Sequence, residues 1–125
     1  MNSKTSSNEA VLRVTGPDLL GPVLTRVVAM LVARAESPID TLDDAMLLAD
    51  AIAAHAPDFT NGDTIVRVRT APDSLSLGVG PFDAGTGQSF LESTTLPDVG
   101  NVVERVAHSV HHDGDTLLLT LRFDV

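Results

Sequence analysis

The segment from Thr41 to His55 constrains the fold more than any other part of the chain, because its pattern indicates a helix with defined ends. Apolar residues, many of them alanine, recur along it at helical spacing. Thr41 is followed three residues later by Asp44, a spacing typical of a capping box. Asp43 adds a second acid to the first turn, where the helix dipole favours negative charge, and Pro57 ends the pattern. We therefore predict a helix over 41–55 that packs closely on a neighbouring helix or sheet.

A longer apolar helix is indicated upstream, from about Asp18 to Glu36. Its apolar residues lie on more than one helical face, and this width predicts burial against a second layer such as a partner subunit. Before it, Glu9 to Thr15 alternates between apolar and polar residues, as a half-buried strand does. Residues 1–8 are polar and Ser-rich, and we interpret them as a disordered tail. The apolar residues of the upstream helix are Leu20, Val23, Leu24, Val27, Val28, Met30, Leu31 and Val32.

The second half of the chain shows two hairpins with a mixed segment between them. Thr64–Thr70 and Ser74–Val79 alternate as paired strands, and a final hairpin turns at Asp113-Gly114, a strong short-range hairpin signal. Between the hairpins, a glycine-rich loop with one helical turn at Ser89–Glu92 precedes a third helix, predicted over Leu96–His108.

This order of elements predicts a single domain over residues 9–125. Strand, two helices, hairpin, loop and helix, then hairpin is typical of an α/β two-layer sandwich, with a mixed or antiparallel sheet and its helices on one face. Four arginines are predicted to project from the opposite face of the sheet, either as solvated residues or as a patch for a partner. They are Arg13, Arg67, Arg69 and Arg122.

The composition excludes several classes of function. The net charge of -9 argues against nonspecific binding of nucleic acid, which depends on Lys and Arg, and favours a protein partner or a small ligand. The absence of cysteine excludes a disulfide framework and a thiolate metal site. The longest apolar run, Val27–Ala33, is far shorter than the roughly 20 residues that cross a bilayer, so no membrane contact is predicted. With no basic and apolar leader, the predicted location is cytoplasmic.

Two motifs and the order of elements resemble a known family. The predicted helix ends with Asp50-Ala51-Ile-Ala-Ala-His55, and the loop after the first hairpin contains Asp83-Ala-Gly85-Thr-Gly87, which has the pattern D-x-G-x-G. From Glu9 to Val125 the chain is similar to the small anti-sigma-factor serine/threonine kinase branch of the histidine-kinase-like (GHKL) ATPase superfamily. The resemblance implies a histidine-kinase-like ATPase fold with ATP or ADP as the ligand.

The resemblance also implies that the catalytic groups are missing. In the family a glutamate on the second helix is the general base, and an asparagine four residues later holds magnesium. The matching positions here are Ala51, which cannot accept a proton, and His55, an imidazole where magnesium prefers oxygen ligands. His55 is otherwise interpreted as a capping or surface residue. Asp50 matches a position that is often acidic, and it belongs either to the ligand cleft or to the polar side of the helix.

The glycine-rich segments complete the predicted ligand site. In the family, the aspartate matched by Asp83 binds the adenine amino group, and the glycines matched by Gly85 and Gly87 let the loop approach the ligand. Gly80-Pro81-Phe82 separates Asp83 from the predicted strand, so Gly80 is an alternative equivalent of that aspartate. A plain glycine-rich turn is the other interpretation. The family's phosphate-binding segment is represented by Asp98-Val-Gly100-Asn101. The predicted cofactor-binding residues are Asp50, His55, Asp83, Gly85, Gly87 and Gly100.

A histidine cluster near the C-terminus is the remaining candidate for a metal site. His108, His111 and His112 lie close to Asp113 and Asp115 in sequence. On a strand, however, His108 and His112 share one face while His111 points away. Three ligands would not converge, and no metal site is predicted.

Three functions remain after these considerations. We predict a non-catalytic regulatory binding module that resembles an anti-sigma factor of a bacterial partner-switching system. Its partner would be a sigma factor or an anti-sigma antagonist, and its apolar first helix would support a homodimer. The first alternative is an active ATP-dependent serine/threonine kinase in which Asp50 or His55 replaces the missing groups. The second is a structural dimer that binds no nucleotide.

Overall fold

The computed structural model describes residues 8–15, 19–34, 39–96 and 100–122. In these ranges the chain forms seven strands, four α-helices and one 3-10 turn. They are β1 (Asn8–Thr15), α1 (Leu20–Arg34), α2 (Ile39–His55), the 3-10 turn (Ala56–Asp58), β2 (Thr60–Ala71), β3 (Ser74–Phe82), α3 (Thr86–Ser93), β4 (Thr95–Leu96), β5 (Gly100–Asn101), α4 (Val102–Val106), β6 (Ser109–Asp113) and β7 (Thr116–Arg122).

Five strands form one antiparallel sheet in the order β1-β2-β3-β7-β6. One face of this sheet packs against α1 and α2, and the apolar residues of the two layers form one core. The other face is the outer face of the sheet. The predicted two-layer α/β sandwich is therefore confirmed, and the sheet is antiparallel rather than mixed.

Alternation along the strands decides which side chains enter the core. On β7, Leu117, Leu119 and Leu121 are buried, while Thr116 and Thr120 face outward and are half-buried. The same period places the four predicted arginines on the outer face, where all are exposed. The prediction for these strands was correct because a period of two residues determines both the element and its buried face.

Three predicted element ends were wrong. Helix α2 begins at Ile39, so Thr41 lies inside the first turn and is buried instead of capping the helix. Strand β1 begins at Asn8, so Asn8 belongs to the sheet, while residues 1–7 of the predicted tail lie outside the described residues. The hairpin turn consists of Gly114 and Asp115, one residue later than predicted, because Asp113 pairs with Thr116.

The segment between the hairpins differs most from the prediction. The predicted glycine-rich loop contains a full helix, α3, and the predicted third helix is helical only over Val102–Val106. Thr95–Leu96 instead pairs with Gly100–Asn101 as a two-stranded ribbon. Asn101 explains the late start, because its side chain accepts a hydrogen bond from the backbone N–H of Glu104 and so caps α4.

Along the described ranges, none of the helices combines the length and the apolar character needed to cross a membrane.

Candidate functional site

The D-x-G-x-G loop connects β3 to α3. Strand β3 continues through Pro81 to Phe82, so Asp83 follows the strand directly, and Gly80 lies inside the strand paired with Ile65. The separation predicted from the sequence is therefore absent.

Local backbone geometry explains the first glycine of the loop. The backbone N–H of Thr86 donates to the Asp83 carbonyl oxygen over 2.9 Å, closing a tight turn. Gly85 has a φ of 82° and occupies the N-cap position of α3. A left-handed φ at this position disfavours side chains, so glycine is required by the turn itself.

The loop encloses a small cavity against the β6–β7 hairpin. Its volume is about 90 Å³. Sites for drug-sized ligands measure about 300–1,000 Å³, so this cavity has room for water but not for a nucleotide. The lining residues include Phe82, Asp83, Gly85, Gly87, Gln88, His112 and Asp115.

An aromatic cluster joins the loop to the end of α2. The rings of Phe82 and Phe90 stack with centroids 5.5 Å apart, and Phe59 meets Phe90 edge-on at 6.4 Å. Phe90 is fully buried. Such ring pairs are stabilising beyond the area they bury. The cluster therefore forms a packed connection between the loop and the segment that follows α2.

The predicted residues of α2 do not line this cavity. Asp50 is exposed, and His55 is half-buried at the last position of the helix, where its side chain makes no capping hydrogen bond to the 3-10 turn that follows. Ala51 is half-buried and packs on the core. The structure thus brings together Asp83, Gly85 and Gly87, and it leaves Asp50 and His55 apart from them.

Gly100 lies on β5, in a different part of the fold from the loop cavity, and it is exposed. A Cβ placed on it would meet no atom within 4 Å. Asp98 and Val99 of the predicted phosphate segment lie outside the described residues.

The neighbouring Asn101 has a structural role that the sequence analysis missed. Its amide nitrogen donates to the Leu91 carbonyl oxygen over 2.6 Å, and its Oδ1 accepts from the Glu104 N–H at 3.0 Å. The Thr94 hydroxyl also donates to Oδ1, over 3.1 Å. Asn101 therefore joins the end of α3 to the start of α4. The spacing Asn-x-x-Glu, typical of a capped helix start, was the available signal.

The C-terminal histidines lie in three different environments. His108 Nδ1 accepts a hydrogen bond from the backbone N–H of Arg122 over 2.9 Å, and His111 is exposed on the outer face opposite Leu118. His112 lies against the D-x-G-x-G loop. Within the described parts of the chain, no three side chains of His, Asp or Glu are grouped as metal ligands.

Mg-ATP does not fit the residues that the resemblance assigns to it. Ala51 offers no oxygen for a proton or a metal, and the cavity beside Asp83 is smaller than a nucleotide requires. No reaction step is therefore assigned to Mg-ATP in this protein.

A second candidate site lies on the solvent side of the helical layer. Leu19 precedes α1 and is 64% exposed, while Val23 and Met30 on α1 are 38% and 44% exposed. Leu47 on α2 is 48% exposed. Val23 and Met30 are seven residues apart and therefore share one face of α1. Single exposed apolar residues are ordinary, whereas several on one layer of a fold are candidates for a protein interface. We call these four residues the helical patch.

Comparison with known proteins identifies no relative: the sequence matches no known protein family and no curated protein.

Proposed function

We propose that this protein is a non-catalytic regulatory binding module that forms a homodimer through the helical patch. The observation that carries this proposal is the exposure of four large apolar side chains on the solvent side of α1 and α2. Removing such side chains from water contributes about 25 cal/mol for each Å² of apolar surface buried. A second copy of the chain supplies the same apolar surface, because in a two-fold interface the same patch of both copies meets.

The pattern of α1 supports this use. Leu24, Val28 and Leu31 are buried against the sheet and α2, yet Val23 and Met30 are apolar on the opposite side. A helix that faced only water on that side would carry charged residues there. Its second apolar face therefore indicates a second layer.

Charges around the helical patch are suited to a two-fold contact. Arg26 on α1 and Asp50 on α2 are both exposed. Neither side chain forms an ion pair with the residues the structure describes. In a two-fold dimer, each arginine of one copy has an aspartate of the other copy available, and both pairs form together.

The resemblance to the kinase family also favours binding over phosphate transfer, because the position of the general base is not kept. A general base must lie within hydrogen-bond reach of the proton it removes, and Ala51 has no group that accepts one. As part of this proposal, the partner is a sigma factor or an anti-sigma antagonist, and the protein acts in the cytoplasm of a bacterial cell. The active kinase and the structural dimer without nucleotide are the competing functions.

Sedimentation velocity tests the dimer. We expect the wild-type protein to sediment as a dimer and Met30→Asp to sediment as a monomer, because a charge at the helical patch must be desolvated on association. Val11→Asp is the matched control, since Val11 is 52% exposed on the outer sheet face. A monomeric wild type, or equal dissociation by both variants, would contradict the proposed interface.

Affinity capture from the source cell tests the partner. We expect the wild-type protein to recover a sigma factor or its antagonist. Recovery of nothing except further copies of this chain would favour the structural dimer. Transfer of labelled phosphate from ATP to a captured protein would instead support the active kinase.

A further inference from the structure

The outer face of the sheet carries half of the basic residues of an acidic protein. The chain has 8 Lys and Arg residues against 17 Asp and Glu residues. Four of the 8 basic residues, namely Arg13, Arg67, Arg69 and Arg122, are exposed on this one face. Glu9 and Asp63 pair with Arg67 and Arg13 there, and Asp113 and Asp115 lie at its β6–β7 side. The arginines can therefore attract an anionic group locally, on the β2 side, rather than through a positive field of the whole face.

A groove runs along this face over the central strand, β3. The outward residues of β3 include Ser76, Gly78 and Gly80, and the register sets Arg67 beside Gly78 and Arg69 beside Ser76. Because these outward residues of β3 are small, the outward side chains of the two neighbouring strands form the walls of a groove. We call this feature the β3 groove, bounded by Arg67 and Arg69 on β2 and by Thr116 and Leu118 on β7.

The β3 groove consists of two adjoining depressions of about 260 and 230 Å³. They share Arg67, Gly78 and Thr116 and therefore form one continuous feature. The first contains both arginines, whereas the second extends to Ile65 and Pro81 on one side and to Asp115 on the other. The groove is thus longer than a single small anion requires.

The two arginines differ in their pairing. Arg67 Nη1 lies 3.1 Å from Glu9 Oε2, in a pair that is largely exposed. Exposed pairs of this kind contribute little, about 0–1 kcal/mol, so a competing carboxylate can replace Glu9 at small cost. Arg69 has no ion-pair partner among the described residues. Both guanidinium groups are therefore open to an incoming anion.

Strand geometry defines the spacing of that anion. Arg67 and Arg69 are two residues apart on one strand, which separates their Cα atoms by about 6.8 Å. An extended peptide places every second side chain on one side at the same spacing. Acidic residues at alternate positions of such a peptide would therefore meet the two arginines in register.

From this match we propose that the β3 groove binds an extended segment of a partner protein with Asp or Glu at alternate positions. Its acidic side chains lie toward β2, and its uncharged residues lie over Gly78 and toward Ile65 and Pro81. Asp113 on β6 and Asp115 in the β6–β7 turn lie on the opposite side of the groove, so acidic side chains of the segment are excluded from that side. This surface is separate from the helical patch, and the inference does not depend on the dimer.

Fluorescence anisotropy of a labelled peptide tests the inference. The probe is fluorescein-labelled Gly-Glu-Ala-Glu-Ala-Glu-Ala-Gly, and the comparison peptide has the same composition with its three glutamates consecutive. We expect micromolar binding of the alternating peptide at low salt, which weakens as salt rises. Arg69→Gln should weaken it by about tenfold, because a charge-assisted hydrogen bond is lost. Arg34→Gln, at the exposed end of α1, is the matched control for net charge and should leave binding unchanged.

A second variant tests the groove without changing its charge. In Gly78→Val, branched methyl groups would occupy the groove beside Thr116 Cγ2, which lies 3.4 Å from a Cβ at this position. We expect binding to fall by about tenfold or more through loss of contact with the groove. Circular dichroism during heating checks that Gly78→Val folds. If it does not fold, the binding measured with Arg69→Gln tests the inference instead.

Several results would overturn the inference. They are equal affinity for the alternating and consecutive peptides, equal weakening by Arg34→Gln and Arg69→Gln, and no binding of the alternating peptide at millimolar concentration. Displacement of the peptide by millimolar inorganic phosphate would indicate a site for small anions instead. Repeating the titration with Met30→Asp separates this test from that of the dimer, because the helical patch is then disabled and the groove is intact.

Discussion

Gly87 lies against the imidazole ring of His112, and a Cβ built on Gly87 would be 3.5 Å from both Nδ1 and Cε1 of that ring. The second glycine of the D-x-G-x-G loop therefore faces a protein side chain across a distance of ordinary contact. Gly85, the first glycine, faces open space, where a Cβ would meet nothing within 4 Å. Backbone geometry accounts for Gly85 and packing against His112 accounts for Gly87, and neither explanation requires a bound ligand.

Alanine at these two glycines should have opposite effects. Gly85→Ala places a side chain at a φ of 82°, which should lower the free energy of unfolding by about 1–2 kcal/mol. Gly87→Ala fits beside His112 within α3, and it should be neutral or stabilising by up to about 1 kcal/mol, because alanine favours the helix. Guanidinium denaturation followed by circular dichroism measures both changes. A large loss of stability in Gly87→Ala alone would show that the ring contact is tighter than the structure gives.

Two glycines of β3 provide a second matched pair. A Cβ on Gly80 would lie 2.7 Å from the Asp115 carbonyl oxygen. That oxygen is held in place by a 2.8 Å hydrogen bond from the Phe82 backbone N–H. Gly80→Ala must therefore displace the β6–β7 hairpin, at a cost of about 1–3 kcal/mol.

Gly78→Ala is the control for this prediction. Its Cβ would approach a side-chain methyl of Thr116 at 3.4 Å, which rotation can relieve. We expect a change in the free energy of unfolding below about 1 kcal/mol, because replacing a glycine within a strand is stabilising and offsets the cost of that contact. Equal unfolding midpoints for the two variants would contradict the close approach at Gly80.

Asn101→Ala should destabilise the connection between α3 and α4. The substitution removes the cap of α4 and the hydrogen bond to the Leu91 carbonyl oxygen. We expect a loss of about 1–2 kcal/mol. Asn101→Asp keeps the acceptor for the Glu104 N–H but removes the donor to Leu91, so its loss should be smaller. Urea denaturation compares the two, and Ser89→Ala, at an exposed position with a 3.5 Å contact, should match the wild type. An unchanged free energy of unfolding in Asn101→Ala would contradict the role of Asn101 in joining α3 to α4.

Prediction from sequence succeeded where one local period decides both element and burial. The alternation on β7 identified the strand and its buried leucines, and the stripe on α1 identified a helix with two apolar faces. Prediction failed at the ends of elements, because a single side chain there can determine the residue at which a helix begins. Thr41 resembles a cap but is buried inside the first turn of α2, while Asn101, the actual cap of α4, lay inside the predicted third helix.

Only the local part of the candidate site could be predicted from the sequence. Asp83, Gly85 and Gly87 line one cavity because they are close in sequence. The packing beside them also involves Phe59 and His112, which come from distant segments. The β3 groove likewise arises from the register of three strands, and no local pattern encodes that register.

Differential scanning calorimetry with Mg-ATP tests the central claim, that this fold serves protein contacts without nucleotide chemistry. A ligand at 100 times its dissociation constant stabilises a protein by about 2.7 kcal/mol, which raises the unfolding midpoint by several degrees. We predict that the midpoint with millimolar ATP or ADP, with and without magnesium, stays within about 1 °C of the midpoint without nucleotide. A magnesium-dependent rise of several degrees would contradict the account and support the active kinase.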